Sequence, residues 1–311
     1  MKYSIVFPGQ GSQSLGMLAD LRSNFSVVNE IFQEASDAIN TDLWKIINED
    51  QELLNLTTNT QPVMLAAGYA TYKVLASEVS LSPESMAGHS LGEYTALVAS
   101  GSLGFFEAVQ LVRKRADLMQ AAVSSGSGSM AAILGLDDPK IIEICSIANE
   151  VGIVEAVNFN SPGQVVIAGE KKAVAHACEL MKEAGAKRAL VLPVSVPSHC
   201  SLMKDAAINF KYSIDNINFQ MGSEKVLHNV DADYSKNIEE IKSKLVEQLH
   251  KPVLWTLIVQ KMKDSGVEKL IEAGPGKVLA GLTRRIDKSL SGSAIIDVTS
   301  LKSTIEEISN A

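Results

Sequence analysis

A basic excess is missing from this chain. Its 28 lysines and arginines stand against 36 aspartates and glutamates, giving a net charge of −8 and a pI near 5.3. A nucleic-acid binder carries the opposite imbalance, so no nucleic-acid partner is expected. No stretch of 18 apolar residues occurs, and no charged segment followed by an apolar run opens the chain. Membrane spanning and secretion are therefore not expected, and the cytoplasm is the expected compartment. Cysteine is scarce: Cys145, Cys178 and Cys200 are odd in number and far apart, which fits neither a disulfide framework nor a zinc knuckle. They read as buried thiols. HExxH, paired-cysteine and clustered-histidine patterns are also missing, so no metal is expected. There is no internal repeat.

What the chain does have is apolar material for a sizeable core, 46% of 311 residues. It opens with "KYSIVFPGQGSQSLGM", a short strand followed by a glycine loop and a helix entry, and helical patterns continue to about residue 76. The run "SSGSGS" at 124–129 is a small linker, after which the texture changes. From Met130 the elements read strand (130–135), helix from near Asp138, strands (153–159 and 164–169) joined at "NSPG", helix (170–184) and strand (188–194). That order, βαββαβ, is the order of a ferredoxin-like fold. Helices return after Pro197, followed by "GVEKLIEAGPGKVLAGLTRRI", a strand, a glycine turn and a helix. The expectation is an α/β domain interrupted by a small α+β domain.

Residues 88–92, GHSLG, are the first chemical candidate. GxSxG suits a sharp strand-to-helix turn that projects a strained serine hydroxyl clear of the backbone. After Gly92, "EYTALVASG" reads as a helix with Glu93 in its first turn, where an acid complements the helix dipole. The preceding "LSPESMAGH" is a weak strand interrupted by Pro83, so Ser90 reads either as a nucleophile or as a serine in an ordinary glycine turn. A nucleophile needs a base. Of five histidines, His199 in "LVLPVSVPSHCSLM" sits where a strand gives way to a helix, a position that often presents catalytic groups. His176 and His250 fall in or near helices, and His89 could line a site beside Ser90 without acting as the base. On the helix "FFEAVQLVRKRADLMQAAV", a projection at 100° per residue puts Ala108, Leu111, Val112, Leu118, Met119 and Ala122 around Arg115. A guanidinium on an apolar face must be paired in a salt bridge or meet a ligand anion. "GQGSQSLG" fails the dinucleotide pattern at Ser14, and "GPGK" at 274–277 lacks phosphate-loop spacing and reads as a helix-opening turn.

Taken together, "FPGQGSQ", "GHSLGEYTALVASG", "RADLMQ", "NFNSPGQVVIAG", "PVSVPSHCSLM" and "EAGPGKVLAGLTRRI" resemble the malonyl-CoA:acyl carrier protein transacylases of bacterial fatty acid synthesis. The motifs fall in that family's order over essentially the whole chain. The resemblance implies a large α/β-hydrolase-like domain (1–124 and 197–311) with an inserted ferredoxin-like subdomain (125–196), acting as a monomer without a cofactor. It implies that Ser90 takes malonyl from malonyl-CoA as an ester and surrenders it to the phosphopantetheine thiol of acyl carrier protein. His199 would be the base, oriented by a backbone carbonyl near Gln248, and the amides of Gln10 and Leu91 would form the oxyanion hole. Arg115 would pair with the malonyl carboxylate, and Asn160, Gln248, Met119 and His89 would help bind substrate. An acidic carrier meeting an acidic enzyme calls for a local basic patch; Lys187 with Arg188, and Lys277 with Arg284 and Arg285, are candidates. Segment 211–240 connects to no chemistry on this reading. A serine hydrolase shares GxSxG but needs an acid that the sequence does not visibly place, and a non-enzymatic acyl-binding module is the remaining alternative.

Overall fold

In the computed structural model, which describes residues 1–124, 126–194 and 196–310, short apolar segments pair into two sheets. The strands are β1 (Tyr3–Phe7), β2 (Met86–Gly88), β3 (Gly128–Leu134), β4 (Val154–Ser161), β5 (Gln164–Glu170), β6 (Arg188–Val191), β7 (Val226–Leu227), β8 (Lys269–Ala273) and β9 (Ser291–Ile295). The first sheet runs β7-β2-β1-β8-β9, with every neighbouring pair parallel. Parallel strands need helical crossovers on both faces, so β1 and β8 are buried along their whole length. Apolar side chains of β1 and β8 pack on both sides: Ile5 and Ile271 join the core under helices Ser26–Ile39 and Thr57–Glu78, while Val6 and Leu270 join that under Trp255–Asp264.

The second sheet runs β4-β5-β3-β6, and all its neighbours are antiparallel. Its strands all lie between β2 and β7 in the chain. The period-two alternation of β3 explains how it is covered. Ala131 and Ile133 pack under helices Asp138–Ala148 and Lys171–Glu183, whereas Met130 joins Val166, Ala168 and Cys200 on the opposite face, beside His199. The two sheets are tied together at Val253, whose N–H donates to Val157 O (2.8 Å) and whose carbonyl accepts from Phe159 N–H (3.0 Å).

Several boundaries differ from the sequence reading. The strand read to residue 194 ends at Val191, in an edge strand that reaches only β3 and is followed by Pro193, which has no N–H to give to a ladder. The strand before Ser90 shrinks to Met86–Gly88, leaving Pro83 outside it. The linker read at 124–129 and the subdomain's first residue include Ser125, which lies outside the described residues.

Candidate active site

Adjacent parallel strands bring two loops to one end of the first sheet. Phe7 on β1 pairs with Gly88 on β2, and His89 N–H donates to Phe7 O at 3.0 Å, so the loop carrying Gln10 lies against the turn carrying Ser90. The carboxyl ends of parallel strands are where such sheets bind ligands. The turn is tight enough to demand its glycines: a Cβ on Gly88 would come within 1.8 Å of the Gly92 carbonyl carbon, and one on Gly92 within 2.1 Å of Phe7 O. Ser90 sits between them at φ 52°, a left-handed conformation uncommon for any residue with a side chain and one that stores strain on the order of 1–3 kcal/mol. The N–H groups of Gln10 and Leu91 have no acceptor among the described residues.

Ser90 Oγ lies 2.7 Å from His199 Nε2 across 109 residues of sequence. His199 Nδ1 lies 2.6 Å from the Gln248 carbonyl, which can only accept, so Nδ1 carries the proton and Nε2 offers its lone pair to the serine hydroxyl. His199 is itself left-handed at φ 68° and is anchored by its N–H to Leu249 O (3.0 Å). Burial, and next the charge of Arg115, push its imidazole pKa down to about 3, against the opposing pull of the Gln248 carbonyl. The base is therefore neutral across the physiological range.

Arg115, on helix Phe105–Ala121, is 1% exposed. Nη1 donates to Gln61 Oε1 (2.8 Å), and Nη2 to Gln248 Oε1 (3.0 Å) and to Ser90 Oγ (3.4 Å). Both amide partners are neutral, no carboxylate within the described residues forms a salt bridge with it, and its Nε–H has no partner there. Burial lowers its pKa. A buried cation held only by neutral oxygens is short of one anion. The guanidinium, Ser90 and His199 line one cavity of ≈ 110 Å³ together with Gln10, Gln61, His89, Leu91, Met130 and Asn158. A wider groove of ≈ 440 Å³ shares Gln10, Thr57, Leu192 and Val194 with it and opens outward past Lys171.

Comparison with known proteins agrees with this chemistry. Residues 4–300 match the acyl transferase domain. The chain is 52% identical over 307 residues to malonyl CoA-acyl carrier protein transacylase of Haemophilus influenzae, with 98% of each covered, and 49% identical over 306 residues to that of Escherichia coli, with 98% of this chain and 99% of that one covered. The chain belongs to the acyl transferase family. A crystal structure of an acyl carrier protein S-malonyltransferase from Vibrio cholerae superposes with a TM-score of 0.95 at 51% identity, covering 98% of this chain and 100% of that one. A type II PKS acyl-carrier protein in complex with its malonyl-transacylase gives 0.97 at 49% identity, covering 99% and 100%.

Within this acyl transferase fold the remaining candidates take distinct places. His89 Nε2 lies 2.8 Å from Asn160 Oδ1, and its ring sits 5.7 Å from that of Trp255; burial lowers its pKa. Met119 is buried, its sulfur facing Gln61 Nε2 at 3.8 Å, and neither it nor Asn160 lines the serine cavity. Gln248 is fully buried and reaches substrate space through what it holds: His199 by its main-chain carbonyl, and Arg115 and the Ser90 carbonyl by its side chain.

Segment 211–240, read from sequence as remote from chemistry, reaches the site directly. Asn229, just after β7, accepts Ser90 N–H at Oδ1 (2.7 Å) and donates through Nδ2 to Gly88 O (2.7 Å), bracing the turn on both sides of its strained residue. Glu93 is more than a dipole partner: it is fully buried and bonded to His228, Asn229 and Gln248. Gln61 was missed because nothing local marks a glutamine inside the apolar helix Thr57–Glu78.

Proposed function

We propose that this acyltransferase moves a malonyl group from malonyl-CoA to the phosphopantetheine thiol of acyl carrier protein through a Ser90 ester. The observation that carries the reading is a buried, carboxylate-free Arg115 sharing one small cavity with the Ser90–His199 pair. The arginine accounts for an anionic acyl group, the pair for its transfer.

In the first half-reaction Ser90 Oγ attacks the thioester carbonyl as its proton passes to His199 Nε2. The free N–H groups of Gln10 and Leu91 receive the developing oxyanion; removing one such donor generally costs about 10²–10³ in turnover. The C–S bond breaks, the imidazolium returns its proton to the CoA sulfur, and malonyl remains on Ser90 with its carboxylate on Arg115. In the second half-reaction the carrier thiol gives its proton to His199, its sulfur takes the acyl group, and Ser90 recovers a proton as the ester C–O bond breaks. No step calls on a metal or cofactor. The groove past Lys171 suits the pantetheine arm that both thiols share.

The strand order β4-β5-β3-β6 under two helices supports an inserted ferredoxin-like subdomain at 125–196, and the flanking parallel sheet supports an α/β-hydrolase-like large domain at 1–124 and 197–311. Between the two, Lys187, Arg284, Arg285 and Lys288 line one open groove of ≈ 750 Å³. Sequence had offered Lys187 and the arginines as separate patches; their convergence favours this groove as the docking face for an acidic carrier protein. No helix among the described residues is long and apolar enough to cross a membrane; a cytoplasmic monomer is the state this reading proposes.

Intact-mass measurement after mixing with malonyl-CoA tests the proposal. A single malonyl adduct located on Ser90, stable in buffer and discharged by carrier protein, is expected. Rapid discharge to water would make the protein a hydrolase, and full transfer activity in Ser90→Ala would remove the serine from the mechanism.

A further inference from the structure

Gln248 has an amide with two ends, and only one orientation serves the site. Its Oε1 must face Arg115, because a guanidinium only donates. Three neighbours impose that orientation from the other end. Nε2 donates to Glu93 Oε2 (2.8 Å) and to the Ser90 carbonyl (2.9 Å), and faces Asn229 Oδ1 at 3.4 Å. Glu93 is the charged member of this set, and it is held in turn: Oε2 also accepts Asn229 N–H (3.0 Å) and Oε1 accepts His228 Nδ1–H (2.7 Å), whose far nitrogen meets Ser235 Oγ at 2.9 Å.

We propose that Glu93 is a positioning residue that sets acyl-group selectivity, orienting the Gln248 amide so that Arg115 is held in place by a neutral oxygen and its charge stays open to the substrate carboxylate. The Gln248 side-chain amide stands between the Glu93 carboxylate and the Arg115 guanidinium. Direct contact would let the protein's own carboxylate saturate the guanidinium and exclude an anionic acyl group. With no acceptor oxygen at that position, Gln248 would be free to turn its NH₂ toward Arg115, setting donor against donor. The interposed amide avoids both. Because the Gln248 main chain also holds His199 Nδ1, one buried acid supports the arginine and the base through a single residue.

The inference rests on the malonyl-transfer reading, and two near-isosteric variants separate its parts. Glu93→Gln removes the charge but keeps a carbonyl oxygen within reach of Gln248 Nε2 and Asn229 N–H, while its NH₂ can donate to His228 Nδ1 in the other tautomer. Glu93→Asp keeps the charge and withdraws it by one methylene. Steady-state kcat and KM are measured for malonyl-CoA and acetyl-CoA on the full-length protein, with Tm recorded for each variant. In Glu93→Asp the malonyl-to-acetyl ratio of kcat/KM falls at least tenfold, mainly through a higher KM for malonyl-CoA, and in Glu93→Gln it stays within about threefold of wild type. A ratio unchanged in both variants while Tm drops makes Glu93 a structural residue and overturns the proposal. So does a ratio lost in Glu93→Gln and kept in Glu93→Asp, which would assign the effect to charge and not to the hydrogen bond. The wild-type ratio, measured alongside, reports separately on malonyl transfer itself.

Discussion

Replacing Arg115 is the sharpest perturbation of the acyl pocket. Of its five N–H donors, three contacts are spent on Gln61, Gln248 and Ser90, which leaves donors for an incoming carboxylate. Two charge-assisted hydrogen bonds in a dry site contribute about 1.5–3 kcal/mol each, and the carboxylate must surrender its hydration to make them. A net loss of roughly 3–4 kcal/mol is then expected in Arg115→Met, equivalent to about 10²–10³ in kcat/KM for malonyl-CoA. Acetyl-CoA has no carboxylate to lose and should change by less than about tenfold. Methionine is preferred to alanine because it fills the arginine stem's volume. Stability need not suffer, since a buried cation without a direct counterion is itself unfavourable. Acylation by the two thioesters, followed by intact mass or by thiol release, gives the ratio. A malonyl-to-acetyl preference unchanged by the substitution would refute the assignment of Arg115.

Charge reversal of Arg284 and Arg285 to glutamate should raise KM for carrier protein about tenfold at low salt and leave malonyl-CoA hydrolysis and self-acylation untouched, the difference shrinking as salt is added. If carrier protein and malonyl-CoA respond alike, the groove is not the docking face. Glu272 on β8 predicts a pH effect on stability. Burial pushes its carboxyl pKa up to about 7, despite the N–H groups of Ala280, Leu279 and Val278 pulling it down. The folded state thus keeps a proton that the unfolded chain releases near 4.5, so this contribution is complete below that pH and is lost as pH rises through 7. Glu272→Gln should remove a loss on the order of 3 kcal/mol between pH 5 and 8, read from urea midpoints at both ends. Parallel profiles for wild type and variant would show that the carboxyl is not held protonated.

What could be read from the sequence follows from how local each signal is. GHSLG encodes its own turn, because the glycines that make it possible are the ones that flank the serine. Arg115 shows itself through the helix period of its neighbours, and the second sheet's strands and helices show through alternation and the "NSPG" turn. β2 and β7 have three and two residues, too short to leave a pattern, and exist because β1 offers β2 a parallel edge that β7 then extends. Asn229 reaches Ser90 across 139 residues, Gln61 reaches Arg115 across 54, and His228 reaches Glu93 across 135. A hydrogen bond over such distances leaves no periodicity behind. Glu93 misled for a related reason: an acid in a first helical turn has a sufficient local explanation, and only burial shows that it serves something else.

The charges of the site also bear on when the base becomes strong. In the free protein the Arg115 charge lies close enough to His199 to hold its pKa down, second only to burial. On the proposed mechanism, a malonyl carboxylate seated on Arg115 would offset that charge, making the imidazolium less unfavourable in the complex where the serine proton must be accepted. Acetyl in the same cavity would leave the guanidinium uncompensated and the base weak. Selection would then operate on proton transfer as well as on binding, and because Arg115→Met removes the charge that weakens the base, its malonyl loss should appear chiefly in KM. The same coupling would persist in the proposed malonyl-ester, with its carboxylate on Arg115 and His199 ready to activate whichever nucleophile arrives. A cavity of only ≈ 110 Å³, opening through a separate groove, is the feature that leaves little room for water beside a seated acyl group and a pantetheine thiol.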